Sequence, residues 1–127
     1  MFLSTILSIS LGAAVGALFR WYLGLSLNSF FPTIPLGTLA ANLIGGFLMG
    51  IFMAITKDHR FISETARLAI ATGFLGSLTT FSTFSAETVT LLSHQQYIWM
   101  SFIIIAHVAG SILSTIFGLY IVKLITS

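Results

Sequence analysis

The strongest constraint on this chain is where its charges are missing. No Asp, Glu, Lys or Arg lies between Met1 and Phe19, between Trp21 and Thr56, between Leu68 and Ala86, or between Thr88 and Val122. A helix of about 20 apolar residues crosses the hydrocarbon core of a bilayer, and each of these gaps is long enough to hold one. Of the 127 residues, 57% are hydrophobic and 6% charged, and the mean hydropathy is +1.06. A water-facing surface of ordinary charge density cannot be built from that composition, whereas a lipid-facing one can.

Two turn clusters set the boundaries inside the longest gaps: Asn28 to Pro35, reading NSFFPTIP, and Ser93 to Gln96, reading SHQQ. They place spans at about 2–26, 36–56, 67–92 and 97–123. The expected fold is an all-α membrane protein, a single domain of four transmembrane helices over residues 1–127. An even number of spans puts both termini on one side. Lys57, Arg60, Arg67 and Lys123 then share one membrane face, with Asp58 and Glu64, while Arg20 lies towards the other, so the positive-inside rule points to cytoplasmic termini. Trp21, Tyr22, Tyr97, Trp99 and Tyr120 fall near span ends, where aromatic rings anchor at the interface.

The first span has no basic segment before it and runs far beyond a signal-peptide core, so it reads as a retained span. The chain has no cysteine, which removes disulfides, thiolate metal sites and a cysteine nucleophile. A net charge of +2 gives no footprint for nucleic acid. His59 and His94 read as loop residues without metal-ligand spacing.

Small residues recur at helical spacing: Gly12 with Gly16, Gly46 with Gly50, and the stripe Ala106, Gly110, Ser114, Gly118. In lipid such stripes let backbones approach closely, and packing is their ordinary reading. The polar residues carry two readings each. Arg20 continues the Gly12 and Gly16 face, so it either enters the bundle interior or snorkels to the headgroups. Asn42, with Thr38 one turn before it and Gly45 and Gly46 one turn after, offers either an interhelical hydrogen bond or two amide donors to an anion.

The segment Gly73 to Ser85, GFLGSLTTFSTFS, predicts a break near the middle of the third span. Gly73 and Gly76 weaken the helix where Ser77, Thr79 and Thr80 compete for backbone hydrogen bonds. Non-helical backbone at that depth is tolerated only inside protein or along a cavity, and discontinuous helices present carbonyls to cations and amides to anions. The alternative is a continuous helix with back-bonded hydroxyls. Phe81 and Phe84 share a face just after the break; they pack, or they offer positive ring edges to a dehydrated anion. Glu87 lies one turn beyond, and an ionised carboxylate there needs water or a partner. Ser82 and Ser85, with His107, Ser111 and Thr115 at four-residue spacing on the last span, line a polar route or are separate interhelical bonds.

Three blocks together resemble the Fluc (CrcB) family of microbial fluoride channels. They are Gly12 to Arg20, GAAVGALFR; Gly37 to Gly50, GTLAANLIGGFLMG; and Gly73 to Glu87, GFLGSLTTFSTFSAE, in order on spans one to three. The third block is the specific one; glycine patterns alone would be weak. The resemblance implies an antiparallel, dual-topology homodimer in a microbial cell membrane, with two fluoride pathways between subunits and a role in fluoride resistance. It implies a sodium ion at the dimer centre, held by backbone carbonyls at the break, here Gly76 and Thr79. It also implies that Asn42, Phe81, Phe84, Ser82 and Thr115 line the fluoride pathway, with Glu87 near its far end and Arg20 at a vestibule.

The physics agrees with such a pore. Fluoride is small and tightly hydrated, so amide, hydroxyl and aromatic-edge groups must replace its water without holding it strongly. A small proton-coupled multidrug exporter would need a carboxylate deep in the first span, which has none. A non-transporting membrane assembly protein would explain the small-residue stripes but has no need of the Gly76 to Phe84 constellation. An enzyme is the weakest reading, since no nucleophile, base and orienting group recur together.

Overall fold

A computed structural model describes residues 1–58 and 62–127. His59 and Arg60, placed in a loop by the sequence, lie outside the described residues. Helix α1 (Phe2–Leu27) is followed by a 3-10 turn (Asn28–Phe30) and by α2 (Leu36–Ile55). The third span is composite. It runs through α3 (Glu64–Leu68), a π-helical stretch (Ala69–Leu75), α4 (Gly76–Leu78) and α5 (Phe81–Ser93). Helix α6 (Tyr97–Thr126) completes the chain. Four helical stretches, Phe2–Phe30, Leu36–Ile55, Glu64–Ser93 and Tyr97–Thr126, are long and apolar enough to cross a membrane.

The connections follow from local chemistry. Between α1 and α2, the Asn28 side-chain oxygen accepts the Gly37 N–H at 2.7 Å, and Pro35 precedes the helix at φ −65°, the angle its ring dictates. The third span starts at Glu64, earlier than the sequence boundary at 67, because Ser63 caps it: its hydroxyl accepts the Ala66 N–H at 3.1 Å. Glu64 adds a carboxylate at the positive end of the helix dipole. The turn before α6 passes through Gln95, whose φ of 58° is the left-handed conformation that lets α5 end and the chain reverse.

Without water between them, helices in lipid associate by packing and hydrogen bonding. A Cβ on Gly50 would collide with the Thr115 carbonyl and lie 2.8 Å from the Leu119 amide; one on Gly118 would collide with the Phe47 carbonyl. Thus α2 and α6 meet backbone to backbone. A Cβ on Gly12 or Gly16 would likewise run into the Ala69 and Phe74 carbonyls, so α1 rests on the π-helical stretch. These stripes are packing surfaces, as expected. Two apolar clusters fill the remaining space: Ile34, Phe84, Leu91 and Ile103 on one side, and Ala41, Phe52, Leu75 and Leu78 on the other. Most other large apolar side chains point outward. On α1 Gly16 alone is buried, and Ile98, Ile105, Leu113 and Ile125 of α6 are more than half exposed. That surface is unsuited to water and suited to lipid.

Candidate functional site

The site is organised by two residues, Thr79 (φ −83°, ψ 156°) and Thr80 (φ −149°, ψ 119°), which are extended between α4 and α5. Extended backbone stops the helical ladder and leaves polar groups that lipid cannot satisfy. Side chains from two other spans take them up. The Asn42 amide pairs with Thr80 on both sides, accepting its N–H at 2.7 Å and donating to its carbonyl at 3.1 Å. Arg20 Nε donates to the Ser77 carbonyl at 3.0 Å, a cation at the C-terminal end of α4. Thr80 also caps α5, its hydroxyl accepting the Thr83 N–H at 3.1 Å.

Two cavities flank this junction. The larger, about 470 Å³, has Asn42, Gly76, Thr79, Phe81, Phe84, His107, Ser111 and Thr115 in its wall. The smaller, about 310 Å³, is lined by Arg20, Trp21, Asn28, Thr38 and Thr83. Thr80 borders both.

Most of the residues singled out in the sequence converge on these cavities. Phe84 is 7% exposed; the Phe81 ring meets it edge-on, with centroids 5.5 Å apart. The face of Phe84 stacks on the His107 imidazole at 4.6 Å. Thr115 lines the larger cavity while its hydroxyl donates to the Ser111 carbonyl at 3.0 Å. Arg20 lies in the smaller cavity. Ser82 and Glu87 lie in neither wall. Ser82 is exposed and sits 3.3 Å from the Thr80 hydroxyl. Glu87 reaches back to α2, where Thr38 Oγ1 donates to Oε2 at 2.7 Å, while Oε1 is buried without a protein partner.

Of the two readings of Asn42, the structure shows the interhelical hydrogen bond. Both protons of its amide are engaged, one by the Thr80 carbonyl and one by His107 Nδ1 at 2.9 Å, so neither is idle. The interhelical bond, rather than a free donor pair, describes this side chain. Thr80 was read in the sequence only as a competitor for backbone hydrogen bonds; a Thr immediately before the apolar start of a helix is the signal that could have marked it as the cap of α5. His107, 3% exposed, has Nε2 buried and unpartnered.

Among the described residues no three His, Cys, Asp or Glu side chains gather as a metal site. The carbonyls of Gly76 and Thr79 have a different chemistry. In a continuous α-helix their donors would be the N–H groups of Thr80 and Thr83, which here go to Asn42 Oδ1 and Thr80 Oγ1. Both residues lie in the wall of the larger cavity. Carbonyl oxygens released in this way are the hard donors that a group I or II cation takes.

Comparison with known proteins bears on the same regions. The family described as CrcB-like protein, Camphor Resistance (CrcB), matches residues 7–119. A protein of Nitrosospira multiformis named fluoride-specific ion channel FluC is 54% identical over 123 residues, covering 97% of this chain and 96% of the relative. One of the same name from Pseudomonas paraeruginosa is 54% identical over 116 residues, 91% of each chain. Another, from Chromobacterium violaceum, is 54% identical over 115 residues, again 91% of each. With the match running through all four apolar helices and the junction between α4 and α5, this chain belongs to the CrcB family.

Proposed function

We propose that this protein is a fluoride-specific ion channel that conducts passively and lets a cell discharge fluoride trapped in its cytoplasm. The observation that carries the reading is membership of the CrcB family, with near full-length identity of about half to relatives named as fluoride-specific channels. It is not an enzyme. The geometry supports the same reading: two cavities meet at Thr80, and the larger one is walled by an amide, hydroxyls and aromatic rings rather than by a cluster of cations.

The finer parts of the proposal concern assembly. The larger cavity includes Gly76, which is exposed, and Phe81, which is 76% exposed. Polar backbone facing lipid is costly, and a second copy of the chain inserted in the opposite direction would cover it. In that antiparallel homodimer the third span acts as a discontinuous helix. Gly76 and Thr79 carbonyls from both copies hold a sodium ion at the twofold axis, supplying a fixed positive charge between the two pathways. Asn42, Phe81, Phe84, Ser82 and Thr115 border each fluoride pathway, Arg20 its vestibule, and Glu87 its far end. The home of the assembly is the cell membrane.

The test is efflux from liposomes containing only the purified protein, followed with a fluoride electrode and a chloride electrode in parallel. Rapid fluoride release with negligible chloride release is expected. Equal release of both anions, or of neither, would remove the fluoride reading.

A further inference from the structure

The hydrogen bonds around Asn42 determine where the proton on His107 sits. The Thr80 N–H points at Asn42 Oδ1 at 2.7 Å, so that atom must be the amide oxygen, since an NH₂ group accepts nothing. The amide nitrogen then faces the Thr80 carbonyl at 3.1 Å and His107 Nδ1 at 2.9 Å. It is donor only, so Nδ1 accepts, and the ring is a neutral imidazole with its proton on Nε2. The stack on Phe84, at 4.6 Å and 25° between planes, sets the plane in which Nδ1 meets the amide. Both partners are enclosed, Asn42 at 9% exposure and His107 at 3%.

We propose that His107 is a positioning residue of the conduction site: by accepting from Asn42 it keeps that amide clamped on Thr80, and so keeps the backbone between α4 and α5 in the arrangement that separates the two cavities. The proposal rests on the fluoride reading for its flux measurement and not for its spectroscopic one. An acceptor at the δ position is the chemical requirement. Without it the second amide proton has no partner in a buried setting, and turning the amide to find one takes Oδ1 away from the Thr80 N–H.

Among the described residues the ring has no hydrogen-bond partner besides Asn42. On α2 it meets Asn42, which is neutral, and on α5 it meets Phe84. Glu87, one turn further along α5, bonds Thr38 through Oε2, and its Oε1 has no protein partner. Arg20 of α1 is bonded to the Ser77 carbonyl, and the charge carried by α6 itself, Lys123, is in the last turn. His107 is thus tied to the junction through Asn42.

Two measurements test this. Side-chain ¹⁵N spectra of the purified wild type at pH 7.5, with the His107 resonances identified by their loss in His107→Asn, should show a protonated Nε2 and a bare Nδ1. Asn42→Ala should mix the two tautomers. A ring protonated on Nδ1, or an Asn42→Ala spectrum identical to wild type, overturns the clamp even if the protein conducts no fluoride. For function, His107→Asn places an amide oxygen where Nδ1 was, whereas His107→Leu has similar size and no acceptor. Fluoride efflux from liposomes should fall at least tenfold in His107→Leu and return to within about threefold of wild type in His107→Asn. Equal flux in the two variants, or wild-type flux in His107→Leu, refutes the positioning role. If His107→Leu does not purify as a folded protein, the tautomer shift in Asn42→Ala decides the question alone.

Discussion

Replacing Arg20 separates two effects that the same guanidinium can exert. It adds positive charge to the smaller cavity, and its Nε holds the Ser77 carbonyl at 3.0 Å where α4 ends. A hydrogen bond to a charged group contributes about 1.5–3 kcal/mol in water-soluble proteins, while interhelical polar bonds in membranes average about 0.6 and reach about 1.7 kcal/mol. For this half-buried residue the two ranges bracket a loss of about 1–2 kcal/mol. Arg20→Lys keeps the charge but replaces the planar fork with a flexible ammonium. We therefore expect Arg20→Lys to unfold in detergent with stability lower by about 1–2 kcal/mol and to conduct less fluoride than wild type. Arg20→Met should lose both the field and the bond. Raising the salt from 0.1 to 1 M shortens screening from about 10 to about 3 Å, which removes the field's share of any flux difference and leaves the bond's share. The expected flux deficit of Arg20→Met therefore persists at high salt. A lysine variant as stable as wild type, together with a methionine deficit that disappears at 1 M, would show that Arg20 acts only through its charge.

Three further outcomes are expected. Phe81→Leu and Phe84→Leu should lose most fluoride flux while still purifying as folded protein, and another aromatic at either position should restore more than any aliphatic does, because it returns the ring edge; wild-type efflux from both leucine variants would assign the rings to packing. A cysteine added at the C-terminus should be labelled by impermeant reagents from both sides of intact membranes, and labelling from one side alone would reject dual topology. A crystal grown with a heavier monovalent cation in place of sodium should show anomalous density beside the Gly76 and Thr79 carbonyls, and its absence would reject the central ion.

The spans were legible because their signal is local: charge-free stretches of sufficient length need no knowledge of neighbours. The glycine pairs were legible as contact surfaces for the same reason, although which helix each one met was not. Gly12 and Gly16 face the π-helical stretch, and Gly50 faces α6. The π-helical stretch itself was invisible, since a π-turn has no propensity signature of its own. The sequence drew attention to Gly73 and Gly76 as weak points and to Ser77, Thr79 and Thr80 as competitors for backbone hydrogen bonds; of these, the extended residues are Thr79 and Thr80. What holds those two lies far away in the chain: Asn42 is 38 residues from Thr80, and Arg20 is 57 from Ser77. Helical spacing put Ser82 and Glu87 on the presumed polar side, but spacing does not reveal which neighbour a side chain turns to. Glu87 turned to Thr38, and Ser82 to Thr80.

The shared border at Thr80 has an electrical consequence. Water-filled cavities conduct, so they carry little of a membrane's voltage; the drop concentrates where low-permittivity material is thinnest. Were both cavities to fill with water from opposite sides, that place would be the Thr80 backbone, which both share, and the Asn42 amide paired with it. On the proposed fluoride reading, an ion crossing from one cavity to the other would pass most of the field in a single short step there, worth about 2.3 kcal/mol for each 100 mV across the whole drop. Voltage then acts on the barrier at one residue rather than along the length of a helix, and a substitution at Thr80 should alter the shape of the current–voltage curve more than one deeper in either cavity wall.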